Sequence, residues 1–163
     1  MITADTLKML YGMNKWALGV NTEGIGHEES LAAPPRGGNC ANWVVGHIVA
    51  TRNVVLSLVG AEAVLDKETA ALYERGSAPM TDPTRARRFE ELLADFERAQ
   101  ARLEAALDRA SDQLLAAPVP EGAPKVGDGL VGSTLAMLQF HEAYHVGQTG
   151  LLRRLAGKPG AIG

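Results

Sequence analysis

Cysteine is nearly absent from this 163-residue chain: Cys40 stands alone, which excludes an intramolecular disulfide framework. Also missing is any uninterrupted apolar run near the ~18 residues that a membrane span requires, because His, Arg, Asn and Gln break the longest apolar stretches. The opening residues, Met1-Ile2-Thr3-Ala4-Asp5, lack the basic, then apolar, then small-residue order of a signal peptide. A cytoplasmic location and no membrane partner are therefore expected. Basic residues are scattered, 16 Lys and Arg against 19 Asp and Glu for a net charge of −3. The one basic cluster, Arg85-Ala86-Arg87-Arg88, falls in the first turns of a predicted helix already rich in Glu and Asp. Nucleic-acid binding needs a basic face interleaved with polar or aromatic groups, so no nucleic-acid partner is expected. Internal repeats, low-complexity tracts and convincing strand alternation are missing too.

What remains is a helical pattern. A chain of this length can bury roughly 70% of the surface its unfolded form exposes, and one domain over residues 1–163 with a single core is the expectation. Apolar residues recur with a period close to 3.6 in four long stretches, which predicts an all-α four-helix bundle with long connections. The first stretch runs from about Thr3 to Val20, with Leu7, Leu10, Tyr11, Asn14 and Leu18 on one face and Met9, Met13, Trp16 and Val20 on another. Apolar groups on two faces imply more than one packing neighbour, a second subunit among the possibilities.

Asn21 to Gly38, with Pro34-Pro35 and Gly37-Gly38, reads as turns. Asn39 reads as the N-cap of a second helix reaching about Val59. Gly60 to Met80 is a long connection with a short helix around Asp66 to Tyr73, and its length suggests a crossover or lid. Asp82-Pro83 is expected to open the third helix, whose stripe of Phe89, Leu92, Phe96, Ala99, Leu103, Ala106 and Ala110 is amphipathic. Ala117 to Gly129 is a Pro- and Gly-rich loop. The fourth helix is expected from Leu130 or Ser133 to Ala156, ended by Gly157-Lys158-Pro159-Gly160.

His141 and His145, four residues apart in His141-Glu142-Ala143-Tyr144-His145, stack two imidazoles on one face of that last helix. His47 falls on the packing stripe Cys40, Trp43, His47, Thr51 and Val54 of the second helix. Uncompensated imidazoles are costly in a core. Three neutral imidazoles with a position left open are the donor set of a catalytic zinc-like site, so a divalent metal on His47, His141 and His145 is expected. His47 taken alone reads as an ordinary core histidine. Glu142 lies about 100° around the helix from His141 and is read as a surface group or a group behind the ligands. His27 is read as no more than a lid contact, and Cys40, two turns from His47, as neither ligand nor nucleophile. Asn14 interrupts an apolar stripe and needs a partner if buried.

Trp43-Val44-Val45-Gly46-His47-Ile48, taken with His141-Glu142-Ala143-Tyr144-His145-Val146-Gly147-Gln148, resembles the DinB-like superfamily. The resemblance spans nearly the whole chain, from an initial helix with Trp16 to the paired histidines followed by Gly-Gln and Leu-Arg-Arg. It implies a four-helix bundle whose equivalent histidines bind a divalent metal, zinc or nickel, and a homodimer. In characterised branches it implies S-transfer or isomerisation with a low-molecular-weight thiol such as bacillithiol or mycothiol. The mycothiol-dependent maleylpyruvate isomerase branch has a Glu where His141 stands here, a departure from that branch, and many relatives have no established activity, so the resemblance says more about the metal than about the substrate.

The leading expectation is a metal-dependent S-transferase in which a thiolate attacks an electrophilic small molecule, with Asn14, Trp43, Tyr144 and Gln148 lining the pocket. Hydrolysis at the same centre would need a general acid or base, and no inward carboxylate can be named from the sequence. The third reading is a stress-related, non-enzymatic bundle in which the cation closes a polar hole in the core.

Overall fold

The computed structural model describes residues 2–80 and 82–162, and among these the chain is helical: α1 (Ala4–Thr22), α2 (His27–Ser30), α3 (Ala41–Leu58), α4 (Lys67–Ala71), α5 (Phe89–Leu107), α6 (Asp112–Leu115) and α7 (Val131–Leu155). The four long helices form the expected bundle. α1 packs on α7 and α5, and α3 packs on the same two from the opposite side, so α1 and α3 are diagonal. No described helix is long and apolar enough to cross a membrane.

Local chemistry sets the ends. Thr3 caps α1 by accepting from the Thr6 amide at 3.2 Å, as a Thr N-cap should. Gly157 closes α7 at φ 76°, with Gly157 N–H donating to Arg154 C=O and Lys158 N–H to Arg153 C=O, the paired bonds of a Schellman cap. Asp66 caps α4 through the Thr69 amide at 2.8 Å.

Two boundaries differ from expectation. Cys40, in an extended conformation, is the N-cap of α3, and its carbonyl takes the first helical bond from Val44, so Asn39 lies one residue outside. Asp82 binds the Thr84 amide and hydroxyl and makes a local Asx turn, which satisfies it without a helix. α5 therefore begins only at Phe89, whose amide donates to His27 Nδ1 at 3.2 Å. His27 is thus a cap from another segment, a long-range role in place of the lid contact. Two short helices add to these: α2 stands in the stretch expected to be turns, and α6 lies between the expected third helix and the loop from Ala117.

The core divides into two apolar clusters, one around Trp43, Ile48, Phe89 and Phe96 and the other around Leu7, Tyr11, Leu103 and Leu135. Between them lies a buried ion pair. Arg52 (0% exposed) and Glu142 (2%) make a two-bond contact, Nε to Oε2 and Nη2 to Oε1, the latter 2.8 Å. The guanidinium lies 4.5 Å from the Tyr11 ring centroid and 4.9 Å from that of Phe96, one ring from each cluster. Glu142 is therefore a core residue and not a surface group: α7 is flanked by α1 and α3, so a 100° turn away from His141 leads into the bundle interior. Asn14 completes the layer, donating to Glu142 Oε1 at 3.1 Å and to the Gln139 carbonyl at 3.2 Å.

A buried charge stripped of its partner is worth several kcal/mol. Replacing Glu142 with Ala should lower unfolding free energy by about 3–5 kcal/mol in urea denaturation, while the apolar pair Arg52→Met with Glu142→Leu should recover most of that loss. A cost below about 1 kcal/mol for the single substitution would show that the pair is energetically idle.

Candidate metal centre

His47 from α3 and His141 and His145 from α7 converge at the wall of a cavity of about 980 Å³. One ligand atom from each lies within 4.8 Å of the others. The Nε2 atoms of His47 and His141 are 3.4 Å apart, and those of His145 and His141 are 3.1 Å apart. The rings meet edge to face at 68–74°. Two imidazole nitrogens at ~2.0–2.1 Å around a tetrahedral ion stand about 3.3 Å from each other, so these two separations suit a shared cation.

Neighbouring groups fix which nitrogens are free. His47 Nδ1 lies 2.7 Å from the Tyr73 carbonyl, which only accepts, so Nδ1 carries the proton and Nε2 presents a lone pair to the other two rings. His145 Nδ1 is likewise 2.8 Å from Gln148 Oε1. Such outer contacts orient metal-binding imidazoles. His141 Nδ1 is buried with no hydrogen-bond partner among the described residues, leaving it the one ring without an outer acceptor.

The Tyr73 contact depends on Gly46. A Cβ at Gly46 would sit 2.2 Å from Tyr73 Cδ1 and 2.4 Å from Cε1, far inside contact distance. Only glycine lets this buried ring lie flat on α3 and bring its carbonyl onto His47. Tyr73 is anchored further by its hydroxyl, which donates to Asn42 Oδ1 and accepts from the Arg87 amide. Trp43, one turn before His47, stacks on it at 4.9 Å and 10° and donates through Nε1 to Ser77 Oγ at 2.9 Å.

The residues expected to line the pocket divide. Trp43, Tyr144 and Gln148 border the cavity, Tyr144 being 61% exposed at its rim. Asn14 does not: its amide is turned into the core towards Glu142 and Gln139, because that buried carboxylate offers a stronger acceptor than the open cavity. Cys40 is buried beside the Met80 carbonyl, and burial holds its thiol above the usual value. The sequence reading missed Tyr73, Arg75 and Ser77. They lie in the long connection after α3, where nothing but its length signalled a role.

Burial pushes all three imidazoles towards the neutral form that metal ligation needs. His47 is lowered by desolvation, opposed by the Tyr73 carbonyl. His141 is lowered by desolvation and by the neighbouring His47 and Arg75. His145 falls from 6.5 to about 4, chiefly by desolvation, with Gln148 acting in the opposite direction.

The sequence profile of the DinB superfamily matches residues 21–149, a span that includes all three histidines. No curated protein matches the chain.

Because the folded-state values lie below the ordinary 6.5, the unfolded chain binds protons first as pH falls. Stability should therefore be intact above about pH 6.5 and decline towards pH 4. Thermal melts of metal-free protein across this window should show the decline, and His145→Ala should flatten it. Histidine-selective NMR should find His145 still neutral at pH 5.

Proposed function

The chain belongs to the DinB superfamily, and from that premise we propose that it is a metal-dependent S-transferase in which His47, His141 and His145 hold a divalent cation, zinc or nickel. The observation that carries the reading is the opening of three convergent ring nitrogens onto a cavity with no Asp or Glu among the described residues that line it. A bound divalent cation supplies Lewis acidity, lowering the pKa of a thiol or water beside it.

The chain's own residues do the rest. Tyr73 and Gln148 hold two of the rings, Trp43 shields the His47 face, and Tyr144 and Leu151 give the rim an apolar wall for the substrate. In the transfer, a low-molecular-weight thiol loses its proton to solvent through the open cavity. Its sulfur bonds to an electrophilic carbon, and the leaving group departs with the bonding pair. Hydrolysis is the second reading, and it is disfavoured by the same lining. The inward carboxylate of Glu142 is committed to Arg52 and Asn14, leaving no general base at the cavity wall. A non-enzymatic metal-binding bundle is the third.

We also propose a homodimer. Met9, Met13 and Trp16 on α1 and Met137, Phe140 and Tyr144 on α7 are all strongly exposed on two helices that pack against each other. An exposed apolar face of this kind marks an association surface. Met9, Met13 and Trp16 belong to the second apolar face of the first helix.

Elemental analysis of protein purified without added metal should find about one zinc or nickel per chain. His141→Ala should lose that metal and at least 100-fold in turnover with bacillithiol, mycothiol or glutathione and an alkyl halide or epoxide, with its helical circular dichroism retained. Absence of turnover with every thiol would overturn the S-transferase reading and leave hydrolysis and the binding module. Light scattering should give a dimer, and Trp16→Glu with Phe140→Glu should give a monomer.

A further inference from the structure

Arg75 is a charged side chain at the cavity that the centre itself does not use. It borders the same cavity as the three histidines and is exposed. Among the described residues it has no ion-pair partner, and it is the only Lys or Arg among those that line the cavity. Its position is set from both sides. Two residues before it, the Tyr73 carbonyl is bonded to His47 Nδ1; two residues after it, Ser77 Oγ is bonded to Trp43 Nε1. Gly76, at φ 88°, makes the turn between these anchors in a conformation that suits glycine. The segment therefore stands on the same two α3 side chains that build the site, with a guanidinium on its cavity side.

A cavity with this cation and no carboxylate in its lining selects for negative charge, and a guanidinium favours planar carboxylates, which it can grip through two N–H groups. We propose that Arg75 binds a carboxylate of the thiol co-substrate, so that the protein accepts acidic thiols in preference to neutral ones. This rests on the thiol reading given under the proposed function and adds the chemical class of the thiol.

The test uses cobalt-loaded protein, in which a thiolate ligand gives a near-ultraviolet charge-transfer band, titrated with 3-mercaptopropionate and with 3-mercapto-1-propanol. Wild type should bind the acid at least tenfold more tightly. Arg75→Gln should abolish that preference, and Arg75→Lys should retain part of it. Equal affinity of wild type for the two thiols, or equal weakening of both in Arg75→Gln, would overturn the assignment. A second arm separates this proposal from the one beneath it: propionate, which has the carboxylate and no sulfur, is titrated into zinc-loaded protein and followed by NMR. Weaker propionate binding in Arg75→Gln, with no charge-transfer band from either thiol, would support Arg75 as a carboxylate site and overturn the thiol chemistry. Indifference of both propionate and mercaptopropionate to the substitution would overturn the role of Arg75 whatever the band shows.

Discussion

The contact between Arg52 and Glu142 is the constraint on which the rest depends. Each charge taken from water costs several kcal/mol, and the attraction between them only offsets this when the geometry is good. The pair is thus better understood as a device for alignment than as a source of stability. Arg52 follows His47 by five residues on α3, and Glu142 sits between His141 and His145 on α7. Fixing the one pair fixes the rotation of both helices, and with it the direction of all three imidazoles. Tyr11, Phe96 and Asn14 close around it, so α1 and α5 are tied to the same layer.

Seen along α7, two chemistries are separated by rotation about a single helix axis. Glu142 turns inward to a guanidinium, while His141 and His145 turn to the cavity. The carboxylate that a hydrolytic centre would want is next to the histidines in sequence and committed elsewhere in space. What is left at the cavity wall is a set of nitrogen donors that could hold a cation, and one arginine.

Around the histidines the support comes from a segment that has no regular structure of its own. Tyr73 and Ser77 reach α3 from the connection after α4 and restrain His47 and Trp43. The missing Cβ at Gly46 is what admits the Tyr73 ring. Much of the rigidity of the site is therefore packing between a glycine and an aromatic ring separated by 27 positions, which accounts for a glycine in the middle of a buried helix, where it is otherwise unfavourable.

Four helical periods, the stop at Gly157 and a histidine pair at helical spacing were legible without coordinates, because each depends on neighbours within a turn or two. From these the bundle and the three convergent histidines followed, while the superfamily came from the resemblance carried by the motifs around His47 and His141. The start of α5, the inward turn of Glu142, the diversion of Asn14 from the cavity, the capping by His27 and the arrival of Tyr73, Arg75 and Ser77 at the site did not. Each of them depends on which helix lies opposite, and periodicity along one helix says which face is buried without saying what meets it there. The chain alone determined the elements and the donors; only the packing of α1, α3 and α7 decided that Glu142 serves the core and that the cavity lining holds no carboxylate.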